Sequence, residues 1–115
     1  MSKLNLKAQL TGVGSVNSAY VYLENVPTTA NPNAIPVNLY PKNSSRKEWN
    51  NDNITVEVVG ALDLQLNVHA FMGTDWTFKI TNKDTSAELV SLTGTTGSDP
   101  EDGINVSIVK KSVNL

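Results

Sequence analysis

Apolar and polar residues alternate with a period of two along much of this chain, and that rhythm decides what it can fold into. Leu4, Leu6, Ala8 and Leu10 alternate with Lys3, Asn5, Lys7 and Gln9. Leu62, Leu64, Leu66, Val68 and Ala70 alternate with Asp63, Gln65, Asn67 and His69. Trp76, Phe78 and Ile80 alternate with Thr77, Lys79 and Thr81, and Ile104, Val106 and Ile108 with Asn105 and Ser107. Successive side chains of a strand point to opposite faces. Each run therefore reads as a strand with one face buried and one wet, as in antiparallel sheets. No stretch carries a useful helical period.

Weaker strands are expected at Ala19–Leu23, Ile35–Tyr40, Ile54–Val59 and Glu88–Leu92, separated by turn-forming clusters such as Gly12 to Ser15, Pro41 to Ser45, Gly73-Thr-Asp and Asn82-Lys-Asp. About eight short strands at this spacing predict an all-β fold. We expect one domain over residues 1–115, an antiparallel β-sandwich of immunoglobulin-like or C2-like type, with Greek-key connections among its topologies. Its expected core is Leu4, Leu6, Leu10, Val21, Leu23, Val37, Leu39, Ile54, Val56, Leu62, Leu64, Leu66, Val68, Trp76, Phe78, Ile80, Leu92, Ile104, Val106 and Ile108. A chain of 115 residues, 39% of them hydrophobic, can bury such a core without staples. It has no cysteine, hence no disulfide and no thiolate metal site.

Between Asn53 and Phe71 the apolar positions stay on even numbers throughout. A three-residue hairpin loop, Val59-Gly60-Ala61, would pair Val58 with Leu62 and Val56 with Leu64 and keep both strands in phase. One strand bent at Gly60 is the alternative. We expect the hairpin.

Several functions fit poorly. Net charge is −2, and nucleic-acid-binding domains are usually basic. The one basic stretch, Lys42 to Lys47, runs straight into Glu48 and reads as a solvated loop. No apolar run has the length of a leader or a membrane span, so the default expectation is the cytoplasm, with release or surface display left open. The single histidine, His69, lies on the polar face of its strand with Asp63, Gln65 and Asn67, without a partnered nucleophile and acid. Gly12-Val-Gly14 and Gly94-Thr-Thr-Gly97 lack the context of a phosphate-binding loop. The sequons at Asn43, Asn53 and Asn105 are what chance supplies in a chain this rich in Asn, Ser and Thr. We expect no enzyme.

Recognition is then left to loops. A reversal at Gly60 brings three of them to one end: Lys42 to Asp52, Met72 to Asp75, and Thr93 to Gly103. Three readings follow. The first is lectin-like carbohydrate binding by Trp49, Asn50, Asn51, Asp52, Thr74 and Asp75, since a sugar offers apolar C–H faces and a rim of hydroxyls. In the competing reading Trp49 closes the end of the sandwich, tucked inward by a capping box at Ser45-x-x-Glu48. The second is Ca2+ held by Asp99, Glu101 and Asp102, with Asp75 near; the full calcium-loop pattern is absent, and Asp99-Pro100 and Asp102-Gly103 also make turns. The third, of another class, is a structural module that binds protein or self-associates as a homo-oligomer in a virion, secretion apparatus or surface array. Tyr20 and Tyr22 alternate there with Ala19, Val21 and Leu23, so both faces of that strand are apolar.

Overall fold

The computed structural model describes residues 2–24, 36–97 and 105–114. They form nine strands: β1 (Ser2–Gly12), β2 (Val16–Leu23), β3 (Val37–Asn38), β4 (Tyr40–Pro41), β5 (Glu48–Val58), β6 (Ala61–Ala70), β7 (Asp75–Asn82), β8 (Glu88–Thr95) and β9 (Val106–Asn114). Sheet A has the order β4-β5-β1-β7-β8 and sheet B the order β3-β2-β6-β9. Every pairing among these strands is antiparallel. The expected β-sandwich is the fold. Among the described residues no helix is long and apolar enough to cross a membrane.

The alternation determines the layer between the sheets. Leu6, Ala8 and Leu10 of β1 face inward beside Trp76, Phe78 and Ile80 of β7. Opposite them lie Ala19, Val21 and Leu23 of β2 and Leu62 to Ala70, even positions only, of β6. Leu4, Val37, Val56 and Leu92 are half-buried at the margin of this core.

Three expectations need correction. The first is the hairpin at Gly60. The chain does reverse there, with Gly60 at φ 76°, but β5 pairs with β1 and β4, and β6 with β2 and β9. The turn is an arch from one sheet to the other. Even-numbered residues stay buried because both strands face the interlayer from opposite sides, which an in-sheet hairpin would mimic in sequence. The second is the phase of β9. Val109 lies opposite Leu66 and Val113 opposite Leu62, so the odd positions face the core. Val106 and Ile108, opposite His69 and Asn67, are on the outer face; Ile104 lies outside the described residues. The third is the strand expected at Ile35–Tyr40, whose first residue is also outside them. It is split at buried Leu39, where the chain passes from sheet B to sheet A.

β5 starts six residues before the strand expected at Ile54. Between Leu6–Ile54 and Ala8–Asn51 its register against β1 shifts, so two residues of β1 span three of β5. Such a bulge reverses the in–out phase. Before it Trp49 faces inward; after it Ile54 and Val58 do.

Candidate functional site

Four connections meet at one end of the sandwich. The amides of Gly12 and Val16, flanking the β1–β2 loop, donate to the carbonyls of Lys47 and Arg46 at 2.7 and 2.9 Å, and Val13 donates to the Asp75 carbonyl at 2.8 Å. Gly73 donates to the carbonyl of Thr96 at 2.9 Å, and Thr96 to that of Thr74 at 3.0 Å. The β4–β5, β6–β7 and β8–β9 connections thus share an end, joined by the β1–β2 loop. Reversal at Gly60 is sufficient for this, without an in-sheet hairpin.

Next to this end, the outer face of sheet A carries a shallow groove made of two adjoining depressions. One, of about 430 Å3, is bordered by Thr11, Val13, Asp75, Thr77, Thr93 and Thr95. The other, of about 250 Å3, is bordered by Gln9, Thr11, Glu48, Asn50, Thr77 and Lys79, with Lys42 at its rim. Strand register builds it. Glu48 stands opposite Thr11, Thr11 opposite Thr77, and Thr77 opposite Thr93, giving one polar row across four strands. A second row runs Asn50, Gln9, Lys79, Ser91. Neighbouring groups in a row are about 4.8 Å apart, the spacing of paired strands. Asp75 accepts a 2.5 Å hydrogen bond from Thr95 Oγ1 and is otherwise exposed. The threonine methyls add small apolar surfaces between the polar groups.

The sequence-predicted residues separate. Asn50 and Asp75 border the groove. Trp49 is only 4% exposed. Its indole Nε1 donates to the Arg46 carbonyl at 2.8 Å, and the Arg46 guanidinium carbon lies 4.7 Å from the ring centroid. With one face against a cation and the remainder in the core, this ring has no free face for a sugar. Strand alternation tucks it inward, as the competing reading had it, but in place of a capping box at Ser45 stands a turn closed from Arg46 N to Asn43 O at 3.2 Å. Asn51 serves the bulge: its Nδ2 donates to the Asn38 carbonyl at 2.9 Å and its Oδ1 accepts from Asn53 N at 2.9 Å. Asp52 accepts from Asn50 Nδ2 at 3.2 Å, and its carbonyl accepts from Lys83 Nζ at 2.6 Å. Thr74 Oγ1 donates to the Phe71 carbonyl at 2.7 Å, within its own loop. Asp99, Glu101 and Asp102 lie outside the described residues. Among the described residues no group of three or more His, Asp or Glu side chains is placed to hold a metal ion.

Sequence reasoning missed Thr96. It is buried, its Oγ1 donates to the Phe71 carbonyl at 2.5 Å and accepts from Thr74 N at 3.0 Å. It ties the β6–β7 loop to the β8 end, and a lone threonine in a run of Thr and Gly gives no sign of that.

The outer face of sheet B holds a separate polar network. Gln65 Nε2 donates to Asn67 Oδ1 at 3.0 Å, and Asn67 Nδ2 donates to Tyr20 Oη at 3.3 Å. Tyr20 Oη lies 3.1 Å from His69 Nε2, with the rings stacked at 5.5 Å. Burial pushes the His69 pKa below its ordinary value, and the neutral ring with its proton on Nδ1 accepts a hydrogen bond from the tyrosine hydroxyl at Nε2. Gln65 and Asn67 are buried although they face outward, because Tyr20 and Tyr22 flank them on one side and Ile108 and Lys110 on the other. No family model, curated protein or solved structure matches this chain.

Proposed function

We propose that this protein is a non-catalytic recognition module that binds a saccharide along the groove on the outer face of sheet A. The observation that carries the reading is the polar grid itself. Hydroxyls of Thr11, Thr77, Thr93 and Thr95, carboxylates of Glu48 and Asp75, and the amides of Gln9 and Asn50 converge on two adjoining depressions. A saccharide needs donors and acceptors at short regular intervals, with small apolar contacts for its C–H faces, and this surface offers both. A non-catalytic role is supported by the separation of the titratable groups. His69 is engaged with Tyr20 on sheet B, whereas Glu48 and Asp75 face solvent from sheet A. A glycan array followed by titration calorimetry tests the reading. Asp75→Ala and Thr77→Val should each weaken binding about tenfold, the loss of a hydrogen bond or two, at unchanged thermal stability. An array without a binder would end it.

Self-association is the second reading. It draws on Tyr20 and Tyr22, edge-to-face at 5.9 Å on the outer face of sheet B, beside half-buried Val106 and Ile108. Light scattering at high concentration separates the two readings. A strict monomer counts against assembly, and oligomers broken by Tyr22→Ser would favour it.

A further inference from the structure

Three large apolar side chains are displayed at the loop end and nothing among the described residues covers them. Val13 is 74% exposed, Phe71 74% and Met72 65%. They sit on two neighbouring connections: Val13 is tied to Asp75, while the space above Gly14 is bounded by Thr74 Cγ2, the residue whose hydroxyl holds Phe71. Their exposure is a property of an ordered loop. The Phe71 carbonyl accepts from the hydroxyls of Thr74 and Thr96, Met72 N donates to Asn105 Oδ1 at 3.1 Å, and Gly73 N donates to the Thr96 carbonyl. These bonds fix the loop backbone and leave the Phe71 and Met72 side chains in water.

We propose that this end docks on a lipid bilayer, with Val13, Phe71 and Met72 entering the boundary between headgroups and acyl chains. The surface fits a bilayer better than a flat protein face, because the apolar groups are loop tips, projecting instead of forming a plane. Charge agrees. Exposed Lys42 and Lys47 stand on the adjacent β4–β5 connection, whose carbonyls hold Gly12 and Val16, and there they can meet headgroup phosphates. The proposal does not depend on saccharide binding.

The test uses the full chain and vesicles of phosphatidylcholine alone, zwitterionic and free of sugar. Phe71→Trp places a reporter at the tip, distinct from the buried Trp49 and Trp76. Its emission should shift to the blue on adding vesicles and be quenched by lipids brominated near the headgroup end of the chain. The double variant Phe71→Ser/Met72→Ser, checked for an unchanged fold by its far-ultraviolet spectrum, should float with vesicles at least about tenfold less. An unshifted emission from the introduced indole, or equal flotation of the double variant, overturns the proposal. Vesicle binding without glycan binding would leave this docking intact while removing the saccharide reading, and the converse holds equally.

Discussion

Trp76 couples the two sheets through a side-chain hydrogen bond. Its indole starts on β7 and its Nε1 donates to Ser107 Oγ on β9 at 3.0 Å. It passes over Gly94, where a Cβ would stand 2.4 Å from the ring. Gly94→Ala should therefore cost about 1–3 kcal/mol by overpacking. Ser107→Ala should cost about 1–3 kcal/mol by leaving a buried N–H without its acceptor. Urea unfolding measures both, and an unchanged midpoint for either would remove this tie. The indole was legible as core from its phase with Phe78 and Ile80. Its partner was not, since a serine on an alternating strand reads as the wet face. His69 makes a pH prediction. Its folded pKa lies below the unfolded value of about 6.5. The unfolded chain thus binds the proton more readily, and stability should fall as pH drops through 6.5 and level off below the folded pKa. His69→Asn should lose that part of the slope as pH falls through about 6.5; an identical slope would refute the assignment.

At the level of strands, period two was enough for β1, β6 and β7, whose inward sets are those expected. It failed wherever a register event intervened. The bulge in β5 turns four polar residues, Asn50 to Asn53, into a phase inverter between Trp49 and Ile54; read without pairing, the same run looks like a cluster of ligand donors. In β9 the sequence holds apolar residues in both phases, and only the pairing with β6 selects the odd ones. That pairing turns Lys111 toward the core side at the sheet edge, opposite Leu64. A charge pointing inward on an edge strand obstructs a further strand from pairing there. Lys111→Val should consequently raise self-association, measured by sedimentation velocity, with little change in monomer structure. If the variant stays monomeric at millimolar concentration, the lysine has no such role. The groove on sheet A was half legible: Asn50 and Asp75 were singled out, but Thr11, Thr77, Thr93 and Thr95 come together only through register between strands distant in sequence.

Across the whole molecule, the loop end concentrates both proposed surfaces, and the topology explains why. Strands β1 and β2, β6 and β7, and β8 and β9 change sheets there, and hydrogen bonds among the described residues tie the ends of those crossings to one another and to the β4–β5 hairpin. The sandwich class followed from the number and spacing of strands, whereas the strand order did not, because nothing local states that β1 lies between β5 and β7. Pairing of this kind is non-local, and refolding should take milliseconds to seconds, not microseconds. Stopped-flow fluorescence of Trp49 and Trp76 would register it, and a microsecond phase carrying the full amplitude would contradict it. During synthesis β1 precedes both its neighbours, and residues as far as Asn82 must emerge before the second of them can pair with it along its length. β5 can close one edge earlier, but until β7 arrives the other edge waits open, which makes this stretch of the nascent chain a natural client of a chaperone.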